Sequence, residues 1–329
     1  MDGKIAIEEH FVTPALEDLI ANPGWAPDAF RAVLDRLGDV DGARIEQMDR
    51  HGIEIAVLSL GANGIQDEPD PARAVQRARE ANDALAAIVA ARPDRFAGFA
   101  AVALQDPAAA ADEAERAVGE LGLKGVLVNG YTSLGDLATA AYYDDVRFEP
   151  FWARIEALGV PLYLHPRDPL PTQRRIYEGR PELLGPTWAF GVETATHALR
   201  LITSGLFDRH PRLTVILGHL GEGLPFAMHR LEQRLSRRAD VALERLPTQV
   251  LRENFHITTS GNYHTPSLVG LLLELGADRV LFAADYPFED LADGARWMDT
   301  VAISEGDRAK IGRDNAARLL GLRSGTQRP

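Results

Sequence analysis

A (β/α)8 TIM barrel in a single domain is the fold this sequence predicts. Three observations carry that expectation. Eight short apolar runs alternate with helical stretches along 329 residues. Most of those runs are continuously apolar, as a parallel sheet covered on both faces requires. The side chains best able to bind a metal or move a proton fall at the ends of the runs, where barrel sites gather.

The elements follow in order. Lys4 to Ile7 reads as the first strand. Ala43 to His51 is helical, and Ile53 to Leu60 is a strand. Pro71 to Ala91 is a long helix, with Asp70 as N-cap and Pro71 at the first helical position. Phe96 to Val102 is a strand, Asp106 to Leu121 a helix, and Gly125 to Asn129 a strand. Phe148 to Leu158 is helical and Val160 to Leu164 a strand. Glu193 to Leu206 is helical and Leu213 to Leu217 a strand. Leu224 to Leu235 is helical and Phe255 to Ser260 a strand. Thr265 to Leu275 is a helix stopped by Gly276. Arg279 to Ala283 is the last strand, followed by helices at Leu291 to Ile303 and Asp307 to Leu320. The barrel domain is expected over 1–323, with a disordered tail at 324–329. A doubly wound open sheet is the runner-up. Its nucleotide-binding form wants a glycine-rich turn after the first strand. This strand runs into Glu8, Glu9, His10 and Phe11 instead, and no G-x-G-x-x-G or Walker pattern occurs.

Composition narrows the chemistry. The chain has no cysteine, which removes disulfides, thiolate catalysis, Fe–S clusters and Cys-based zinc sites. The formal charge of -13 argues against nucleic acid and anionic membranes as partners. The most apolar stretch, Ala84 to Ala91, is far shorter than the ~20 residues of a membrane span. Asp2, Lys4 and the acidic pair Glu8–Glu9 do not read as a signal peptide, so a cytoplasmic setting is expected.

The first strand carries Glu8 and His10 at its end. Side chains two apart on a strand share a face, so both can aim into a barrel mouth. His165 ends the fifth strand, His219 the sixth and Asp285 the eighth. Glu8, His10, His165 and Asp285 together offer two nitrogens and two carboxylates, a set that suits Zn2+ or Mn2+. Each residue has a bland reading alone. Glu8 could cap a loop, His10 could be a core histidine, His165 a strand terminus and Asp285 a turn residue. The joint pattern favours a metal, which also relieves the repulsion of a buried carboxylate pair.

His219 and Glu222 stand three residues apart where the sixth strand turns into a helix. The carboxylate can fix the imidazole tautomer and support its charge; the plain alternative is helix capping by Glu222. His51, His197, His210, His229, His256 and His264 are read as structural.

The segments that carry these residues resemble the metal-dependent decarboxylase branch of the amidohydrolase superfamily, and within it the γ-resorcylate (2,6-dihydroxybenzoate) type. The matching stretches are Gly3 to Phe11, Arg92 to Pro107, Tyr163 to Pro171, Leu183 to Phe190, Ile216 to Pro225, Glu253 to Asn262, Asp278 to Glu289 and Ile311 to Leu322. The resemblance implies the same barrel, with Glu8, His10, His165 and Asp285 as ligands of one divalent ion. It implies that Asp285 gives a proton to the ring carbon, assisted by His219 with Glu222. It implies substrate contacts from Arg230 and Phe288. The presence of His10 places the chain nearer the γ-resorcylate type than the 2,3-dihydroxybenzoate or salicylate types, while Tyr286 stands where that type carries tryptophan. A small aromatic carboxylic acid is the implied partner, and the implied assembly is a homodimer or homotetramer that often completes its site from a neighbour.

Two other functions compete. A hydrolase of the same superfamily would open an amide or lactone, but its two-metal members need a lysine ending strand four. That strand ends in Val128–Asn129, and Lys124 precedes it, which leaves a single-metal lactonase. A non-enzymatic binding protein is disfavoured by the complete ligand set.

Overall fold

The computed structural model describes residues 1–238, 240 and 243–322; the expected tail at 324–329 lies outside the described residues. Eight parallel strands form the barrel wall. We number them β1 (Lys4–Phe11), β2 (Ile53–Leu60), β3 (Phe96–Gly98, resumed at Ala100–Ala101), β4 (Val126–Asn129), β5 (Leu162–His165), β6 (Val215–Leu217), β7 (Phe255–Thr258) and β8 (Val280–Leu281). They lie in two arcs, β1–β2–β3 and β8–β7–β6–β5–β4–β3. The two halves of β3 belong to different arcs. Phe99 N donates to Leu58 O and Ala100 N to Gly125 O, which joins the arcs on that side. On the other side Ile7 N reaches Phe282 O at 3.2 Å and His10 N reaches Tyr286 O at 2.8 Å, bringing β1 to the chain beyond β8.

Two apolar layers follow from strand alternation. Ile5, Ile7, Ile55, Val57, Phe99, Leu127, Tyr163, Ile216 and Leu281 fill the barrel, with Ala316 and Leu320 of the last helix packed against them. The larger layer lies between the wall and the helices. Burial at about 25 cal/mol per Å2 of apolar surface drives both. No described helix is long and apolar enough to cross a membrane.

The helices Pro71–Ala91, Leu224–Leu235 and Thr265–Leu275 have the expected bounds. Asp70 caps the first, accepting from Arg73 N at 2.8 Å. Other edges move. β1 runs four residues past Ile7. β8 pairs over only two residues, because Phe282 N donates to Ile311 O and Ala283 N to the Thr259 hydroxyl rather than to a ladder. The helix expected over Glu193 to Leu206 begins at Ala189 and stops at Thr203, before left-handed Gly205. The helix expected over Asp307 to Leu320 is Glu305–Ala309 and Asn315–Leu320, joined by one π-helical turn, Lys310–Asp314. Elements not expected include the helices Pro27–Gly38 and Pro247–Asn254 and an antiparallel hairpin, Thr132–Leu134 with Asp136–Ala141.

Candidate active site and metal centre

The barrel mouth is built by a change of parity in β1. Ile5 and Ile7 face the interior, so plain alternation would turn Glu9 inward after them. Between Ala6 and Glu9 the register with β2 shifts: three steps on β1 match two on β2. The extra residue is a bulge, which reverses the alternation. Glu8 and His10 therefore face the mouth, and Glu9 faces the wall.

Glu8, His10, His165 and Asp285 come together there. One donor atom from each lies within 4.8 Å of all the others, and all four residues are buried. His10 Nε2 is 3.2 Å from Asp285 Oδ1, and His165 Nε2 is 3.5 Å from Glu8 Oε1. The remaining atoms of each group are held by the protein. Glu8 Oε2 accepts from the Tyr163 hydroxyl and, at 3.1 Å, from the Thr258 hydroxyl. His10 Nδ1 lies 3.1 Å from Ser59 Oγ, and His165 Nδ1 lies 3.1 Å from the Pro166 carbonyl. A proton on each Nδ1 makes those bonds and leaves each Nε2 with a lone pair aimed at the centre.

A divalent ion fits this geometry. Glu8 Oε1, His10 Nε2 and Asp285 Oδ1 are buried without a hydrogen-bond partner. Each such atom costs about 1–3 kcal/mol when left unpaired. Three of them converging from two carboxylates and an imidazole describe a cation site of the N2O2 type. The four side chains form a site for one divalent metal ion, and no second group of three or more such donors gathers among the described residues.

His219 stands beside this centre. Its Nδ1 is 2.7 Å from Glu222 Oε1, and its Nε2 is 3.7 Å from Asp285 Oδ2 and 3.9 Å from Glu8 Oε1. Burial opposes a charge on His219, but Glu222, Glu8 and Asp285 together outweigh it and hold its pKa well above the ordinary value. Burial also pushes Asp285 upward, yet the neighbouring His10 and His219 win and hold it low. Burial and the neighbouring His10 push His165 well below the ordinary value, so it is a neutral ligand. Burial, aided by Asp285, raises Glu8. The backbone here is strained: His219, Leu220, Glu222 and Asp285 all have positive φ, between 50° and 60°.

A cavity of about 360 Å3 opens onto His165, His219 and Asp285. Phe288 forms one wall, its ring 5.5 Å from that of His10, with Trp25 6.4 Å beyond it. Arg230 does not share the cavity. It is exposed on Leu224–Leu235, which buries Leu224, Pro225 and Met228; a residue two past Met228 lies on the far face. None of the six histidines set aside lines the cavity. His210 pairs with Glu149 and Glu156, and His197 accepts from Tyr143 N.

Residues with no motif of their own complete the site. Tyr163 and Thr258 hold Glu8, and Ser260 Oγ accepts from His219 N at 3.1 Å. Glu9 is the most consequential. Its carboxylate accepts from Ala284 N at 2.9 Å and Tyr286 N at 3.2 Å, the residues on either side of Asp285. The signal available for Tyr163 was its position two before His165 on one strand; the bulge that redirects Glu9 leaves no mark in the sequence.

The chain is similar to known proteins along nearly its whole length. The amidohydrolase family model matches residues 10–322. A gamma-resorcylate decarboxylase of Rhizobium sp. (strain MTP-10005) is 52% identical over 98% of this chain and 99% of its own length. A crystal structure of a 2,6-dihydroxybenzoate decarboxylase complexed with 2,6-dihydroxybenzoate superposes with a TM-score of 0.94 at 50% identity, covering 98% of this chain and 99% of that one. A dihydroxybenzoic acid decarboxylase of Polaromonas sp. JS666, solved with bound manganese and the inhibitor 2-nitroresorcinol, gives 0.94 at 49% identity, covering 99% of both chains. A hydrolase is not favoured, since β4 ends in Asn129 rather than a lysine and these full-length relatives are decarboxylases. With the family model spanning nearly the whole sequence and half the residues shared with full-length relatives, this chain belongs to the amidohydrolase family.

Proposed function

We propose that the protein is a metal-dependent, non-oxidative decarboxylase of ortho-hydroxybenzoic acids, with 2,6-dihydroxybenzoate as the substrate to test first. One observation carries the reading: three partnerless buried atoms converge beside the His219–Glu222 pair at the floor of an aromatic-walled cavity. The names of the relatives support the choice of substrate.

The chemistry sets the requirements. Direct loss of CO2 would leave an aryl anion. Adding a proton first to the ring carbon that bears the carboxylate avoids it. The C–C bond then breaks, CO2 departs, and the bonding pair restores the aromatic ring. A bound divalent ion supplies positive charge and Lewis acidity to the ortho oxygen and the carboxylate. Glu8, His10, His165 and Asp285 would hold it. Asp285 lines the cavity and would carry the proton from the ortho hydroxyl to the ring carbon. Solvent then returns a proton to the phenolate. His219, oriented by Glu222, would keep a positive charge beside the reacting anion. Phe288 would hold the ring by its face and exclude water. The same path run backwards carboxylates phenols at high bicarbonate. Arg230, exposed and off its own cavity, would serve a neighbouring copy in a homodimer or homotetramer. A cytoplasmic setting belongs to the same reading.

The test is release of CO2 and of the matching phenol by metal-loaded protein. The panel is 2,6-, 2,3- and 2,4-dihydroxybenzoate and salicylate. Turnover that is lost on chelation and restored by Mn2+ or Zn2+ is the expected result; silence across the panel with the metal site filled would overturn the reading. Asp285→Asn should abolish turnover even where metal is retained, and undiminished activity would remove Asp285 from the mechanism. His10→Ala should lower metal content by elemental analysis; full occupancy would demote His10 to a supporting role.

A further inference from the structure

The cavity presents an electrostatic problem. The protein carries -13, and the cavity is lined by Asp67, Asp168, Asp285 and Glu289 against two arginines, Arg167 and Arg174. A bound ion would offset Asp285, but an aromatic carboxylate must still pass Asp67, Asp168 and Glu289. Arg167 is already committed. It is 4% exposed, pairs with Asp67, donates to Tyr131 O at 2.7 Å and stacks 4.0 Å over the Tyr131 ring. The charge of His219 is engaged by Glu222, Asp285 and Glu8.

Arg174 differs. It sits on the 3-10 helix Pro171–Tyr177, half-buried, and its Nε donates to the Pro169 carbonyl at 2.8 Å. That bond fixes the side chain. Among the described residues no carboxylate forms an ion pair with Arg174, so its two Nη groups keep their charge unspent at the cavity wall. A planar guanidinium with two adjacent donors matches a carboxylate better than any other side chain does. Charge-assisted hydrogen bonding of this kind is worth about tenfold or more in affinity.

We propose that Arg174 captures the anionic substrate and so selects aromatic acids over neutral phenols, an assignment that rests on the decarboxylase reading above. Arg174 acts in binding and specificity. The proton transfer stays with Asp285.

The experiment compares metal-loaded wild type, Arg174→Gln and Arg174→Lys. It measures kcat and KM for 2,6-dihydroxybenzoate, and inhibition by the neutral phenol 1,3-dihydroxybenzene. The expected result is a KM for the acid raised about tenfold or more in Arg174→Gln, with the inhibition constant of the phenol within about twofold of wild type. Arg174→Lys should recover part of the loss, and the gap between variants should narrow as salt is added. A KM unchanged in Arg174→Gln would overturn the proposal. So would a parallel loss for acid and phenol, which would mean a damaged pocket rather than a lost charge. If wild type turned over no hydroxybenzoate, the decarboxylase reading itself would fail. Calorimetric titration of the same acid and phenol into wild type and Arg174→Gln would then still judge Arg174, with equal losses of both ligands counting against it.

Discussion

Glu9 shows how much of this site depends on a residue that never faces the cavity. Asp285 is held at a φ of 60°, which a residue with a side chain adopts only when its surroundings insist. The insistence comes from Glu9, whose two oxygens take the N–H groups of Ala284 and Tyr286. Tyr286 in turn accepts from His10 N, so a ligand of β1 and a ligand beyond β8 are tied through one carboxylate and one carbonyl. Glutamine at this position offers one acceptor and one donor. It would set an NH2 against one of those N–H groups and leave that group buried and unpaired. We expect Glu9→Gln to lower the unfolding free energy by about 1–3 kcal/mol and kcat by about tenfold, since small displacements of a proton carrier are costly. Full activity with the metal retained would show that Asp285 keeps its place unaided. The sequence made Glu8 and His10 legible because their spacing of two guarantees a shared face. It could not show Glu9, whose role arises from a bulge, nor the outward turn of Arg230, which depends on which helical face Leu224 and Met228 bury.

At the scale of elements, the turn after β6 does the most for the chemistry. From His219 to Gly223 every residue has positive φ. The segment is tied down by Leu220 N to Thr258 O at 2.9 Å, His219 N to Ser260 Oγ at 3.1 Å and Leu224 N to Gly221 O at 2.9 Å. Gly218 opens it and is pressed against the metal centre. A Cβ there would lie 3.2 Å from both carboxylate oxygens of Glu8 and from Ser260 Oγ. Gly218→Ala should therefore push the Glu8 carboxylate aside and weaken metal binding by about tenfold or more, as read by competition with a chelator; unchanged affinity would mean that Glu8 can give way without cost. Helices with clean caps and stops were legible to the residue, as at Asp70 and Gly276. Strand ends were not, because they depend on partners. Phe282 looks like strand but donates to Ile311, whose carbonyl is freed by the π-helical turn. The helix Pro27–Gly38 did leave a sign: Phe30, Val33, Leu34 and Leu37 mark one face at helical spacing. The hairpin after β4 left none, since most of its second strand is exposed and carries no apolar alternation.

Across the whole molecule, acid tolerance turns on histidines far from the metal. His197 and His256 are buried, and burial pushes both down to about 3, helped by Arg200 for the first and by Arg279 and Arg318 for the second. Each ring accepts a hydrogen bond at Nε2, from Tyr143 N at 3.1 Å and from Arg279 Nη1 at 3.2 Å, so protonation would also destroy a bond. A histidine whose pKa is depressed by folding takes up its proton in the unfolded chain first. Stability is then intact above the unfolded value near 6.5 and declines as pH falls towards the folded one. Each contributes a loss of about 1.4 kcal/mol per pH unit in that window. Metal release in acid adds a second loss, because the ligands must stay deprotonated. Comparison of wild type with His197→Gln separates the two, since both keep the same metal site and Gln can still accept from Tyr143 N. Between pH 6.5 and 5.5 wild type should lose about 1 kcal/mol more in urea unfolding than His197→Gln. Equal losses would mean that His197 is protonated in the folded protein, and that the hydrogen bond to Tyr143 does not set its charge.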